Sequence, residues 1–143
     1  MTARWFPDAM PRPAVNEDTR PFFEAARDHR LVVQRCRSCG THRHPPRPVC
    51  ATCGSFEALW EEVSGRGTLF TWSVVHQPFH PALREAVPYV VAIVELEGTG
   101  GTRFTSNLVD AGPEHLVVGQ PVEVAWEEMG PDLTLPRFRP VTG

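Results

Sequence analysis

Cys36-Arg37-Ser38-Cys39-Gly40, then residues 40–49, then Cys50-Ala51-Thr52-Cys53-Gly54, is the stretch on which the fold turns. Each Cys-x-x-Cys-Gly unit puts two thiols on one tight turn whose backbone N–H groups face sulfur, and the glycine supplies the positive φ that closes it. Four thiolates at this spacing suit a tetrahedral, closed structural site for Zn²⁺, with no open position for water or substrate. A disulfide framework is disfavoured in a reducing compartment. A thioredoxin-like reading needs one pair in a βαβ setting and leaves the other pair idle. An iron site with the same four sulfurs stays open beside zinc. With Cys36, Cys39, Cys50 and Cys53 all committed to metal, no cysteine is left as a nucleophile.

Working toward the N-terminus, Leu31 to Gln34 reads as a strand feeding the first cysteine pair. Asp18 or Thr19 can cap a short helix with Pro21 in its first turn, running to about Arg30. Phe22, Ala25, Ala26 and His29 then share one face. Residues 1–16, with three prolines and no periodicity, read as an extended arm whose Trp5 and Phe6 need covering, by the protein itself or by a partner.

Toward the C-terminus everything from Glu57 reads as β. Phe70, Trp72 and Val74 alternate with Leu69, Thr71 and Ser73, and Gly65 and Gly67 let a long strand bend. Tyr89–Leu96 is nearly all apolar, as in a strand buried on both faces. Arg103–Val109 alternates. A helical turn is expected within residues 112–119; then Val122, Val124 and Trp126 alternate with Glu123, Ala125 and Glu127, and a last strand covers Leu133–Phe138. Five strands with a helical turn between the third and fourth follow the order of an OB-fold barrel, and an SH3-like barrel uses similar material. The expected chain is therefore mainly β: an arm and short helix (residues 1–30), a four-cysteine zinc ribbon (31–60) and a five-stranded barrel (61–143).

Composition narrows the chemistry. Leu, Ile, Val and Phe make up 35 of 143 residues, enough for a core. Lysine is absent, so lysine Schiff-base chemistry is excluded for this chain acting alone. No apolar stretch approaches the roughly 18 residues that span a bilayer, and the N-terminus lacks a signal pattern, so the expectation is a soluble cytoplasmic protein with no membrane partner. Up to residue 47 the chain has nine arginines against five acids, and beyond it five against twelve. This asymmetry reads either as an anion- or acid-binding surface or as arginines offsetting the thiolate charge.

Catalytic candidates are few. Single histidines in loops are more often solvated or packed than catalytic, and the acid pairs Glu61-Glu62 and Glu127-Glu128 place one member on each face of a strand. No Gly-x-Ser-x-Gly elbow, phosphate loop or His-Glu-x-x-His helix is present. The expectation is a chain that is not catalytic alone, with no catalytic residue to name. Its aromatic and arginine content fits an interface. Trp72 and Trp126 are expected to fill the barrel. Trp5 and Trp60, with Arg37, Arg43 and Arg47, are the candidate partner- or anion-binding residues.

The strings Phe22-Phe23-Glu24, His29 to Cys36, Pro45-Pro46-Arg47, Gly65 to His76, Pro88 to Leu96, Gly119 to Val124 and Phe138-Arg139-Pro140 run colinearly over most of residues 20–140. In them the chain resembles the acyl-CoA-associated family with a rubredoxin-like zinc ribbon fused to an OB fold, long catalogued as a domain of unknown function. His44 departs from the pattern, standing where the family usually has an aromatic before Pro-Pro-Arg. The resemblance implies an accessory subunit that stabilises a thiolase-fold, lipid-transfer-protein-like enzyme and helps form its CoA-thioester site. The partner would be an aldolase or a thiolase, in a hetero-oligomer, with structural Zn²⁺ and a CoA thioester as shared substrate. The texture around the ribbon is most similar to the version paired with a steroid side-chain aldolase, which cleaves a β-hydroxyacyl-CoA by a retro-aldol step. A thiolase, acyl-CoA synthase or hydratase scaffold is the nearest alternative. Nucleic-acid binding competes from another class, but the acidic barrel opposes a phosphate backbone. Electron transfer through an iron site is the third reading.

Overall fold

In the computed structural model, which describes residues 4–142, Arg20–Arg27 form helix α1 with Pro21 in the first turn, where a missing N–H costs nothing. Met1–Ala3 of the expected arm and Gly143 of the expected barrel lie outside the described residues. Phe22, Ala25 and Ala26 make the buried face of α1. The helix stops short of the expected Arg30 because His29 takes φ 56°, a left-handed conformation that no right-handed helix continues. His29 thereby leaves the buried face and stacks on Trp126, ring centres 5.5 Å apart.

The ribbon is a three-stranded antiparallel sheet of β1 (Leu31–Cys36), β2 (His42–Arg43) and β3 (Ala58–Val63), in the order β2-β1-β3. β1 and β3 pair from Leu31↔Val63 to Cys36↔Ala58, so the strand leading into the first knuckle is fixed along its whole length.

The barrel closes as β4 (Arg66–Val75), β5 (Tyr89–Leu96), β6 (Arg103–Leu108), β8 (Thr134–Pro140) and β7 (Pro121–Glu128). A 3₁₀ turn at Pro113–His115 separates the third and fourth barrel strands, which makes this an OB fold. A second 3₁₀ turn, Pro81–Leu83, interrupts the β4–β5 connection, where only β structure was expected. At Gly65 (φ +82°) a Cβ would lie 2.5 Å from Val124 Cγ1, and at Gly67 one would lie 2.4 Å from the Glu95 carbonyl oxygen. Only glycine lets β4 pass this close to its neighbours at the bend.

One core joins all three parts. Phe22 of α1 and Leu31 and Val33 of β1 are buried with Leu69, Val94, Phe104, Val122 and Phe138 of the barrel. β5 is not buried on both faces as expected: Val90, Ala92, Val94 and Leu96 are buried, while Tyr89, Val91, Ile93 and Glu95 are half-exposed. A closed barrel shields the inward face completely and the outward face only where another segment crosses it. Trp72 and Trp126 are likewise half-buried and pack against the core from its edge.

β7 departs most from expectation, because Ala125 and Glu127 on the face read as outward are buried, Glu127 completely. The arm covers Glu127. The Glu127 carboxylate accepts from the backbone N–H groups of Trp5 and Phe6, the latter at 2.8 Å, and from Arg137 Nε at 2.9 Å. Arg137 also donates to Asn107 at 2.9 Å and lies under the Phe6 ring, 4.6 Å from its centre. A buried carboxylate is tolerable only when its oxygens are matched by charged and N–H donors, and here the arm supplies two backbone N–H groups toward that match.

Candidate functional site

The two knuckles repeat one local geometry. Gly40 N donates to Cys36 O at 2.9 Å and Gly54 N to Cys50 O at 2.8 Å, with φ +79° and +78° at the two glycines. These hairpins present four sulfurs to one point, all four Sγ atoms lying within 4.8 Å of one another. Cys36 and Cys53 are 3.6 Å apart, as are Cys39 and Cys50. A disulfide needs about 2.05 Å. Sulfurs about 2.3 Å from a tetrahedral zinc stand about 3.8 Å from each other, so the set fits a metal without rearrangement.

The electrostatics agree. The Cys39 N–H is the chief cause that draws the Cys36 thiol down to about 6, and the Cys53 N–H lowers Cys50 in the same way. At Cys53 the Ser55 N–H pulls down, but the neighbouring sulfurs and desolvation outweigh it and push the thiol up to about 12. Four thiolates this close cannot all ionise unless a cation sits among them, and a divalent metal removes the conflict. Such a metal is fully ligated by protein and serves structure.

Arg35 ties the first knuckle to the sheet, donating from Nε to Gly40 O at 3.0 Å and from Nη1 to Glu61 at 2.7 Å. His42 meets the other Glu61 oxygen at 3.1 Å, and His42 first, then Arg35, holds the Glu61 carboxyl below the usual carboxylate range. This brace was missed in the sequence, where Glu61 registers only as half of an acid pair; its signal is the β1–β2–β3 register, which brings Arg35 opposite His42.

The predicted contact residues divide. Arg43 and Arg47 come together: Gln34 Oε1 accepts from Arg43 Nε at 2.7 Å and from the Arg47 N–H at 2.8 Å, and Arg43 Nη2 donates to Arg47 O at 2.8 Å. Among the described residues no arginine bonds a cysteine sulfur. Arg37 is exposed and does not join this pair. Trp60 is half-buried on β3 against the core. Trp5 is engaged within the chain, its indole N–H donating to Asp110 at 3.0 Å.

Sequence reasoning also missed a cavity of about 480 Å³ between α1, the ribbon loop and the barrel, lined by Phe22, Phe23, His44, Phe104, Asn107 and Arg137 among others. His44 stacks on Phe104 at 4.2 Å, and burial lowers its pKa to about 4. The neutral imidazole does there what an aromatic would do.

Comparison with known proteins follows this geometry. Residues 23–58 match the family description "ChsH2, rubredoxin-like zinc ribbon domain" and residues 60–127 match "ChsH2, C-terminal OB-fold domain". A DUF35 domain-containing scaffold protein of Methanocaldococcus jannaschii is 38% identical over 71% of this chain and 71% of its own length. The 3-oxo-4,17-pregnadiene-20-carboxyl-CoA hydratase alpha subunit of Mycobacterium tuberculosis is 37% identical over 94% of this chain, which spans only 41% of that relative. Among solved structures, a chain of the Ltp2-ChsH2(DUF35) aldolase superposes with a TM-score of 0.80 at 50% identity, covering 90% of this chain and 98% of that one.

Proposed function

The chain belongs to the DUF35 family of ChsH2-like zinc-ribbon and OB-fold proteins, and on that premise we propose that it is a non-catalytic subunit bracing a thiolase-fold enzyme that acts on acyl-CoA thioesters. The observation that carries this is the likeness to nearly the whole of a chain belonging to an aldolase complex. The closed four-sulfur site supports it, since a metal without an open position holds structure and does no chemistry on a substrate. In this reading the metal is zinc, the partner is a lipid-transfer-protein-like aldolase performing a retro-aldol cleavage, and a steroid side-chain acyl-CoA is its substrate. Trp60 and Arg37 would face the partner, and Trp5 would hold the arm that presents that face. The site of action would be the cytoplasm; no helix among the described residues is long and apolar enough to cross a membrane.

A second reading, a subunit of an acyl-CoA hydratase, is favoured by the hydratase alpha subunit relative. Co-expression with neighbouring reading frames tests both. Recovery of a thiolase-fold protein that cleaves a β-hydroxyacyl-CoA only in complex with this chain is the expected result. Recovery of a hydratase-fold protein instead would favour the second reading, and recovery of neither would remove both.

A further inference from the structure

We propose that the outer face of β5, β6 and β8 is a peptide-binding groove whose resident occupant is residues 4–12, and that the same residues of a second copy of this chain take the seat when the arm exchanges. An OB fold reads its ligands on the second and third barrel strands, between the loop joining strands one and two and the loop joining strands four and five. Here those strands are β5 and β6, and the two loops carry Leu83 and Met129. Phe6 and Met10 lie in that place, in a groove of about 280 Å³ that Leu83, Met129, Tyr89, Asn107 and Arg137 help to line. The chain's own arm stands where an OB ligand would.

The seat defines its occupant. Phe6 is the anchor: it is buried, its ring meets Tyr89 edge-on at 5.5 Å, and the Arg137 guanidinium lies 4.6 Å from its centre. Around it the barrel is acidic and the arm basic. Glu127 accepts from the Trp5 and Phe6 N–H groups, Asp110 from the Trp5 indole N–H at 3.0 Å, and Asp132 from Arg12 at 2.6 Å. The occupant is an extended segment with an aromatic pair ahead of proline, flanked by cations, and the arm of a second copy meets each requirement. Residues 13–18, between the seat and α1, are all exposed, while Phe22 holds α1 in the core. The arm can therefore leave its seat on a tether without unpacking the fold. Exchange replaces each contact within a chain by the same contact between chains. The tethered arm competes at an effective concentration of about millimolar order, so exchange belongs to high protein concentration.

The proposal is independent of the acyl-CoA reading. Its test uses the zinc-loaded full chain as a mixture of isotopically labelled and unlabelled copies. The dimer fraction should rise severalfold between about 0.05 and 2 mM, with isotope-filtered NOEs from the Phe6 ring of one copy to Tyr89 of the other. Phe6→Ala should lose the dimer while keeping barrel amide protection and zinc. It should also bind a labelled peptide of residues 1–12 about tenfold or more tighter than the parent chain does, because its own arm no longer fills the seat. A dimer without those NOEs would overturn the exchange, and a folded Phe6→Ala chain that ignores the peptide would overturn the groove. Peptide binding by Phe6→Ala beside a parent that stays monomeric to about 2 mM would overturn the second copy as occupant, in favour of another protein's segment.

Discussion

The ribbon tip and the barrel are both small β structures, yet they are held together by different physics. Between Arg37 and Glu57 the single buried residue is Cys50, so this segment has no apolar core of its own. The barrel buries Leu69, Val94, Val122 and Phe138 completely in a closed ring of strands. The tip gathers four thiols that a bound metal would tie together, while the barrel is organised by removal of apolar surface from water. The base of the ribbon belongs with the barrel, because Leu31 and Val33 sit in the shared core.

The largest effect should come from Cys36→Ser. Loss of the metal should abolish amide protection across residues 37–57 while barrel amides stay protected; equal loss in both regions would break the distinction. Phe138→Ala should act oppositely, costing about 3–5 kcal/mol in global denaturation with metal still bound. Glu127→Gln weakens the clip that binds the arm, at about 2–3 kcal/mol, and should expose residues 4–12 to protease ahead of the barrel.

The smallest effect concerns His44, at the boundary of the two regions. Its folded pKa, about 4, lies below the ordinary 6.5, so the folded state resists protonation. The associated stability is complete above about pH 6.5 and is lost as pH falls toward 4. His44→Phe keeps the stack on Phe104 and should flatten this dependence relative to the parent protein over that range. Parallel stability–pH curves for the two proteins would contradict the assignment.

The same contrast explains what was legible in sequence. The clustering of the four cysteines was readable to the residue, since thiol type and spacing are local, and the barrel strands emerged from alternation and turn residues. Glu127 was not, because its burial depends on Trp5 and Phe6, far away in the chain, crossing that face. The cavity beside His44 escaped for the same reason: it is made where the ribbon loop meets the barrel wall. Tyr89–Leu96 misled because an apolar composition does not say which face is covered.

Whether this chain braces another catalyst is tested most directly by measuring acyl-CoA turnover of the co-expressed assembly, of the partner alone and of this chain alone, with metal content determined for each. The account predicts turnover by the assembly, little or none by either component, and one zinc per copy of this chain. Turnover by this chain alone, or a partner equally stable and active without it, would contradict the account.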